Sequence, residues 1–242
     1  MTGLVQAIDR LGAGNERHGP LPILLTGLTV LTGMVDAVSY LQLGHVFVAN
    51  MTGNVIFLGF AVGGATEFSV VASLAALAAF FVGAFAGGQI GSASGAHRGR
   101  LMAGGLAIET FLVAASLLLS LSAADPATDI GRYGLIILLG LAMGVQNAVV
   151  RRLAVPDLTT TVLTLTFTGL AADGIFSAAQ TASRLRRLTA ILAMFAGAAI
   201  GSLILLKVSL PAVLAAALVL LLAIGLVAYP ARLSQRAWTT AK

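Results

Sequence analysis

The chain alternates long apolar runs with short polar breaks. The apolar blocks fall at about 21–43, 46–63, 68–94, 101–122, 133–150, 158–172, 188–207 and 210–229. A helix that crosses a bilayer needs about 20 apolar residues, and six of the blocks read as spanning helices. The other two are interrupted. Block 46–63 contains Asn50-Met51-Thr52-Gly53-Asn54, and block 158–172 contains threonines at 159, 160, 161, 164, 166 and 168. Polar backbone at membrane depth is tolerated only where it is buried in protein or lines a cavity. These two segments are therefore expected to be re-entrant or broken. The block that opens at residue 21 exceeds the 7–15 apolar residues of a cleaved signal core, so it reads as a retained first span behind a polar tail.

The chain also repeats itself at an offset of about 110 residues. Phe85-Ala86-Gly87-Gly88-Gln89-Ile90-Gly91-Ser92 aligns with Phe195-Ala196-Gly197-Ala198-Ala199-Ile200-Gly201-Ser202, and Gly59 aligns with Gly169. With one inserted residue, Gly33-Met34-Val35-Asp36 meets Gly144-Val145-Gln146-Asn147. Three matches in the same order at nearly one offset indicate a duplicated membrane unit.

Charge bears on how the two units are oriented. Basic residues in short loops favour the cytoplasmic side. If all eight blocks cross, the 14 basic residues divide nine inside to five outside. If the two interrupted blocks return to the side they left, only Arg132 and Lys207 remain outside. The second partition is much cleaner. It gives three crossings per half, so the halves are expected to be inverted repeats. The expected layout is a cytoplasmic tail over 1–20, a first membrane repeat over 21–122 and an external linker over 123–132. A second repeat over 133–230 and a cytoplasmic tail over 231–242 complete it.

Composition excludes several classes. Hydrophobic residues make up 58% and charged residues 10%, against roughly 45–50% and 25% in soluble domains. Mean hydropathy is +1.00. A polytopic all-α membrane protein is the reading that remains. The absence of cysteine removes disulfides, thiolate metal sites and cysteine nucleophiles. His18, His45 and His97 lie far apart, so neither a metal nor another cofactor is expected. The net charge of +5 is scattered between apolar blocks and forms no basic face of the kind that holds nucleic acid.

Asp-Ala-Val-Ser-Tyr at 36–40, followed by Asn-Met-Thr-Gly-Asn at 50–54, resembles the YoaK-like family of bacterial membrane proteins, a domain of unknown function numbered 1275. The second half resembles it too, through Gly-Val-Gln-Asn-Ala at 144–148 and the threonine run. The resemblance covers essentially the whole chain. It implies an integral protein of the bacterial inner membrane and no particular activity.

Candidate chemistry rests on a few polar residues. Asp36 sits about two-thirds along the first span, where a carboxyl costs roughly 2.5–3.5 kcal/mol; it is either a proton or cation site or a hydrogen-bonded clamp on a helix break. Asn147 is its counterpart in the repeat and is expected near it, with Gln146 pointing to another face. Thr52, Gly53 and Asn54 are placed to start a half-helix whose positive end faces inward. Thr164 aligns with Asn54, with Thr160, Thr161 and Thr166 around it. Glu109 lies in the fourth block, fewer than three turns from Arg100, and either pairs with it or lines a pathway. Gly83, Gly87, Gly91 and Gly95 form one face of a helix, with Gly140, Gly144, Gly197 and Gly201 on others. Such small-residue faces let helices approach closely, within the chain or in a homo-oligomer.

The expected function is a small secondary transporter of a small polar or anionic solute, coupled to protons or a cation through Asp36. A passive channel or a non-transporting scaffold are the alternatives. No nucleophile–base pair, metal cluster or phosphate loop points to an enzyme.

Overall fold

The computed structural model describes residues 17–95, 97–122, 129–172, 181–234 and 237–240. Arg10, Arg236, Lys242 and most of the proposed external linker lie outside the described residues. Among those described there are eight α-helices and no strand: α1 (Leu21–Gln42), α2 (Met51–Val62), α3 (Val70–Ala93), α4 (Arg98–Leu121), α5 (Asp129–Leu153), α6 (Thr164–Ala172), α7 (Thr181–Lys207) and α8 (Leu210–Ala228). Six of them are long and apolar enough to cross a membrane; α2 and α6 are the short pair, at 12 and 9 residues.

Local sequence accounts for the helix ends. Ser69 caps α3 by accepting from the Ala72 amide at 3.2 Å, and Ser209 caps α8 by accepting from Ala212 at 3.3 Å. The imidazole of His97 does the same for α4, through the Arg100 amide at 3.1 Å. Such caps satisfy donors that the first turn cannot. Inside α1, the hydroxyls of Thr26, Thr29 and Thr32 donate to carbonyls four residues back at 2.8–2.9 Å, so these polar groups cost the apolar helix little. In the first described turn of α5, Asp129 pairs with Arg132 at 2.5 Å.

The helices pair mainly across the two halves. Gly83 and Gly87 of α3 lie against the backbone of Leu141 and Val145 of α5, so these helices run parallel. Gly197 and Gly201 of α7 lie against Val30 and Met34 of α1 with the same parallel sense. The reverse contacts match as well. Gly33 faces Met194, Gly197 and Ala198, while Gly144 faces Phe80, Gly83 and Ala84. Helix α4 is antiparallel to α5, with Gly105 at Val149 and Gly134 at Leu119. The glycine faces are therefore internal seams between the halves, and Gly91 makes room for the Arg152 side chain. Gly95, at φ +59°, belongs to the α3–α4 turn. Large apolar side chains such as Phe81, Phe111, Phe195 and Leu206, each more than 70% exposed, cover the outside, as lipid contact requires.

Arg98 gathers one end of the bundle. Its guanidinium donates to the carbonyls of Arg17 at 3.2 Å and Trp238 at 3.3 Å, to the Leu153 carbonyl, and to Nδ1 of His18 at 3.3 Å. The starts of α1 and α4 thus meet the end of α5 and the segment that follows α8. Helices α1, α4 and α7 leave this end, whereas α3, α5 and α8 arrive at it. Among the described basic residues, Arg17, Arg98, Arg100, Arg151, Arg152, Arg184, Arg186, Arg187 and Arg232 lie toward this end, and only Arg132 and Lys207 lie at the other.

Candidate functional site

Between α1 and α3 the chain folds back on itself. Gly44 and His45, at φ +94° and +56°, reverse its direction after α1. The descending arm is then tied to α1, because the Ala49 amide donates to Asp36 Oδ1 at 3.0 Å. Asn54 fastens the arm to α2: its Oδ1 accepts from the Phe47 amide at 2.8 Å and its Nδ2 donates to the Phe47 carbonyl at 2.5 Å. Helix α2 therefore starts at the level of Asp36, well below the end of α1, and climbs back. Its cap is Asn50, which accepts from the Gly53 amide at 3.4 Å, and not Thr52 or Asn54. Both asparagines suit a cap; pairing with the Phe47 backbone draws Asn54 inward, where it is fully buried.

The segment between α5 and α7 repeats this plan with different chemistry. Asn147, the counterpart of Asp36, accepts from the Thr161 hydroxyl at 2.7 Å and donates to the Met143 carbonyl at 2.9 Å. Gln146 indeed faces elsewhere: its Nε2 donates to Thr32 of α1 at 2.9 Å and to Thr160 at 3.0 Å. Three non-glycine residues of this arm, Ala154, Asp157 and Thr160, hold φ values of +50°, +67° and +62°. Such conformations persist where tertiary partners over-determine them, and Asp157 and Thr160 have those partners. Helix α6 then starts at Thr164, which the alignment sets opposite Asn54, so it begins about one turn later than α2 does in the first segment.

The two arms face one cavity of about 590 Å³, set between α1 and α7. Asp36, Tyr40 and Gly33 line it from α1, and Met194, Ala198 and Ser202 from α7. The first arm contributes Phe47, Asn50, Thr52 and Gly53; the second contributes Thr161, Val162, Leu163 and Thr164. Of the six candidate pathway residues, the cavity brings together Asp36, Thr52 and Thr164. Asn54 and Asn147 stand behind the lining and hold the arms in place. Glu109 is elsewhere, buried on α4 at 1% exposure with Oε1 lacking a hydrogen-bond partner among the described residues. No ion pair joins it to Arg100, which is exposed; the carboxyl lies too far along the apolar helix. Tyr40 and Phe47, with rings stacked at 5.1 Å, were not singled out by sequence, although their closeness to Asp36 and Asn50 was the available signal.

A second polar cluster lies at the Arg98 end. Asp157 accepts from Ser183 at 2.5 Å and from Arg187 Nε at 2.8 Å, with Arg186 at 3.4 Å. Burial alone would raise its pKa, but the Ser183 and Arg187 hydrogen bonds and the two arginine charges outweigh it and hold the carboxyl below its ordinary 3.8. His18 is held below its ordinary 6.5 by burial first, then by Arg98, Arg17 and Arg186. Both groups bind protons more tightly when unfolded, so each stabilises the fold above its ordinary pKa and that contribution is lost on acidification. Thermal melting in detergent is expected to weaken below about pH 6.5 through His18 and again below about pH 4 through Asp157. His18→Gln is expected to remove the upper step and Asp157→Asn the lower; an unchanged profile in both variants would contradict these assignments.

The fold defines a class: an all-helical, polytopic membrane protein whose two interrupted segments share a cavity. The family model described as "Protein of unknown function (DUF1275)" matches residues 24–227, and the chain belongs to that family. It is similar to the UPF0700 transmembrane protein YoaK of Bacillus subtilis (strain 168), at 37% identity over 151 residues. The matched stretch covers 62% of this chain and 65% of that protein. No solved structure matches.

Proposed function

We propose that the protein is a small secondary transporter of the bacterial inner membrane, carrying a small polar solute through the cavity between α1 and α7. The observation that carries this reading is that both interrupted segments, one from each half, line that cavity together with Asp36. Its volume lies within the range of small-molecule sites.

The proposal includes the topology. The Arg98 end is cytoplasmic, because it gathers the basic residues that the positive-inside rule assigns there. The halves are inverted repeats: α1, α3 and α4 leave, arrive and leave at that end, whereas α5, α7 and α8 arrive, leave and arrive. Neither arm crosses, since each returns to the side it came from. Sites at the interface of such repeats, built from discontinuous helices, are the arrangement that alternating access uses. The parallel α1–α7 and α3–α5 seams are the surfaces on which one half would move against the other.

Asp36 is the coupling group. Proteoliposomes loaded with a pH-sensitive dye and offered small amines, amino acids and carboxylates are expected to show solute-dependent proton movement that saturates. Asp36→Asn keeps an acceptor for the Ala49 amide, so it is expected to preserve the fold while cutting coupled movement roughly tenfold or more, the equivalent of one lost charge-assisted contact. Unsaturable flux without coupling would favour a channel. Full activity in Asp36→Asn would remove Asp36 from the mechanism.

A further inference from the structure

The cavity is unevenly equipped with donors and acceptors. Asp36 is its only carboxylate, and no Arg, Lys or His lines it among the described residues. Two of its hydroxyls have already committed their protons: Thr161 donates to Asn147 at 2.7 Å and Ser202 donates to the Ala198 carbonyl at 2.7 Å. What these oxygens offer a ligand is lone pairs. Opposing this are the positive ends of α2 and α6, but the first turn of α2 is partly satisfied by Asn50. The Tyr40, Thr52 and Thr164 hydroxyls and the Asn50 amide can donate as well as accept. It is the one carboxylate, with no cationic side chain beside it among the described residues, that tips the lining toward a bound N–H donor.

Aromatic placement points the same way. Tyr40 and Phe47 line the cavity, and their stack continues through Phe57 at 5.6 Å from Phe47 to Phe68 at 4.8 Å from Phe57. Phe68 lies in the α2–α3 connection at the end remote from Arg98, so the rings form a row from that end to the cavity. In the second half, Tyr40 aligns with Arg151 and Phe57 with Phe167, so among the described residues only part of this row has an aromatic counterpart. Aromatic faces attract cations and give apolar contact at the same time. A volume of about 590 Å³ also far exceeds what a bare ion would fill.

The geometry points to a ligand with a small ammonium head and an apolar body. The head sits against Asp36, the Thr161 and Ser202 oxygens and the Tyr40 ring; the body lies toward Ile56 and Met194. This rests on the reading of the cavity as a solute site and narrows the polar solute to an organic cation.

Isobutylamine and isovalerate test it directly, because they share one isobutyl skeleton and carry opposite charges at pH 7. Binding is measured by calorimetry on the full chain in nanodiscs, with empty nanodiscs as the partitioning control. Isobutylamine is expected to bind and isovalerate to bind at least roughly tenfold more weakly. Asp36→Asn and, separately, Tyr40→Leu are each expected to weaken the amine by roughly tenfold, with folding checked by thermal melting. Tyr40→Leu keeps apolar volume, so the test survives if the Asp36 variant misfolds. Isovalerate binding as tightly as the amine, no amine binding, or amine binding indifferent to both variants would overturn the inference. Binding without flux would leave the ligand class standing and defeat the transporter reading; flux of another solute without amine binding would do the reverse.

Discussion

Gly144→Val, and equally Gly33→Val, is expected to prevent assembly of the membrane domain. A Cβ at Gly144 would lie 2.7 Å from the Ala84 amide nitrogen and closer still to the Phe80 carbonyl oxygen; at Gly33 it would lie 2.7 Å from the Ala198 nitrogen and closer still to the Met194 oxygen. These obstacles are backbone atoms, which cannot rotate away as a side-chain tip can. The helices would have to separate along the whole seam, losing the close packing that holds membrane helices together where no hydrophobic force acts between them. Overpacking a well-filled core costs about 1–3 kcal/mol and sometimes more, and a backbone-to-backbone seam belongs at the upper end. Gly59, with nothing within 4 Å of its added Cβ, is the internal control. Folded yield from detergent extracts, followed by size exclusion, should fall severely for Gly33→Val and Gly144→Val and stay near wild type for Gly59→Ala. Normal yield from both valine variants would mean the seams are not as close as described.

The second large effect is expected at Arg98. Truncation to alanine leaves the carbonyls of Arg17, Leu153 and Trp238 and the His18 ring nitrogen without this donor. A buried polar group left without its partner costs about 1–3 kcal/mol, and several are released together, so a loss of about 3 kcal/mol or more is expected. That corresponds to a fall in Tm of roughly 6–12 °C for a chain of this size. Lysine offers a point charge and cannot reproduce the planar fork that reaches four acceptors, so Arg98→Lys should recover only part of the loss. The C-terminal segment around Trp238 should also become sensitive to protease in Arg98→Ala. A melting curve within a degree or two of wild type would show that Arg98 does not pin this end.

The sequence made the large features legible. Block lengths revealed six spans, and the polar stretches at Asn50–Asn54 and Thr159–Thr168 marked the two segments that turn back. Other features could not be seen there, for identifiable reasons. The repeat alignment sets Gly87 against Gly197 and Gly91 against Gly201, yet in the fold Gly83 and Gly197, and Gly87 and Gly201, occupy matching places on Leu141 or Val30 and on Val145 or Met34. Small residues recur every turn of these helices, so a slip of one turn leaves the pattern intact and only packing fixes the register. Nor could hydropathy tell that α1 pairs with α7 and α3 with α5, because each apolar helix suits many partners. Arg98 looked like one topology-setting arginine among several; its burial depends on the Trp238 segment folding back 140 residues later. Sequence leaves Asp36 as either an ion site or a clamp on a helix break. Helix α1 runs unbroken through it, and its hydrogen bond to the Ala49 amide makes it both a clamp on the arm and a wall of the cavity.

In the proposed topology both interrupted segments return to the side they leave, which places inverted halves around one cavity. The chain lacks cysteine, so single exposed positions can be labelled without background. Arg100→Cys, Arg151→Cys, Glu67→Cys and Val208→Cys, expressed in intact cells and treated with a membrane-impermeant maleimide, measure this directly. Labelling is expected at 67 and 208 from outside, and at 100 and 151 only after the membrane is permeabilised. Labelling of 100 and 151 from outside, with 67 protected, would mean that the two segments cross the membrane, and would contradict it.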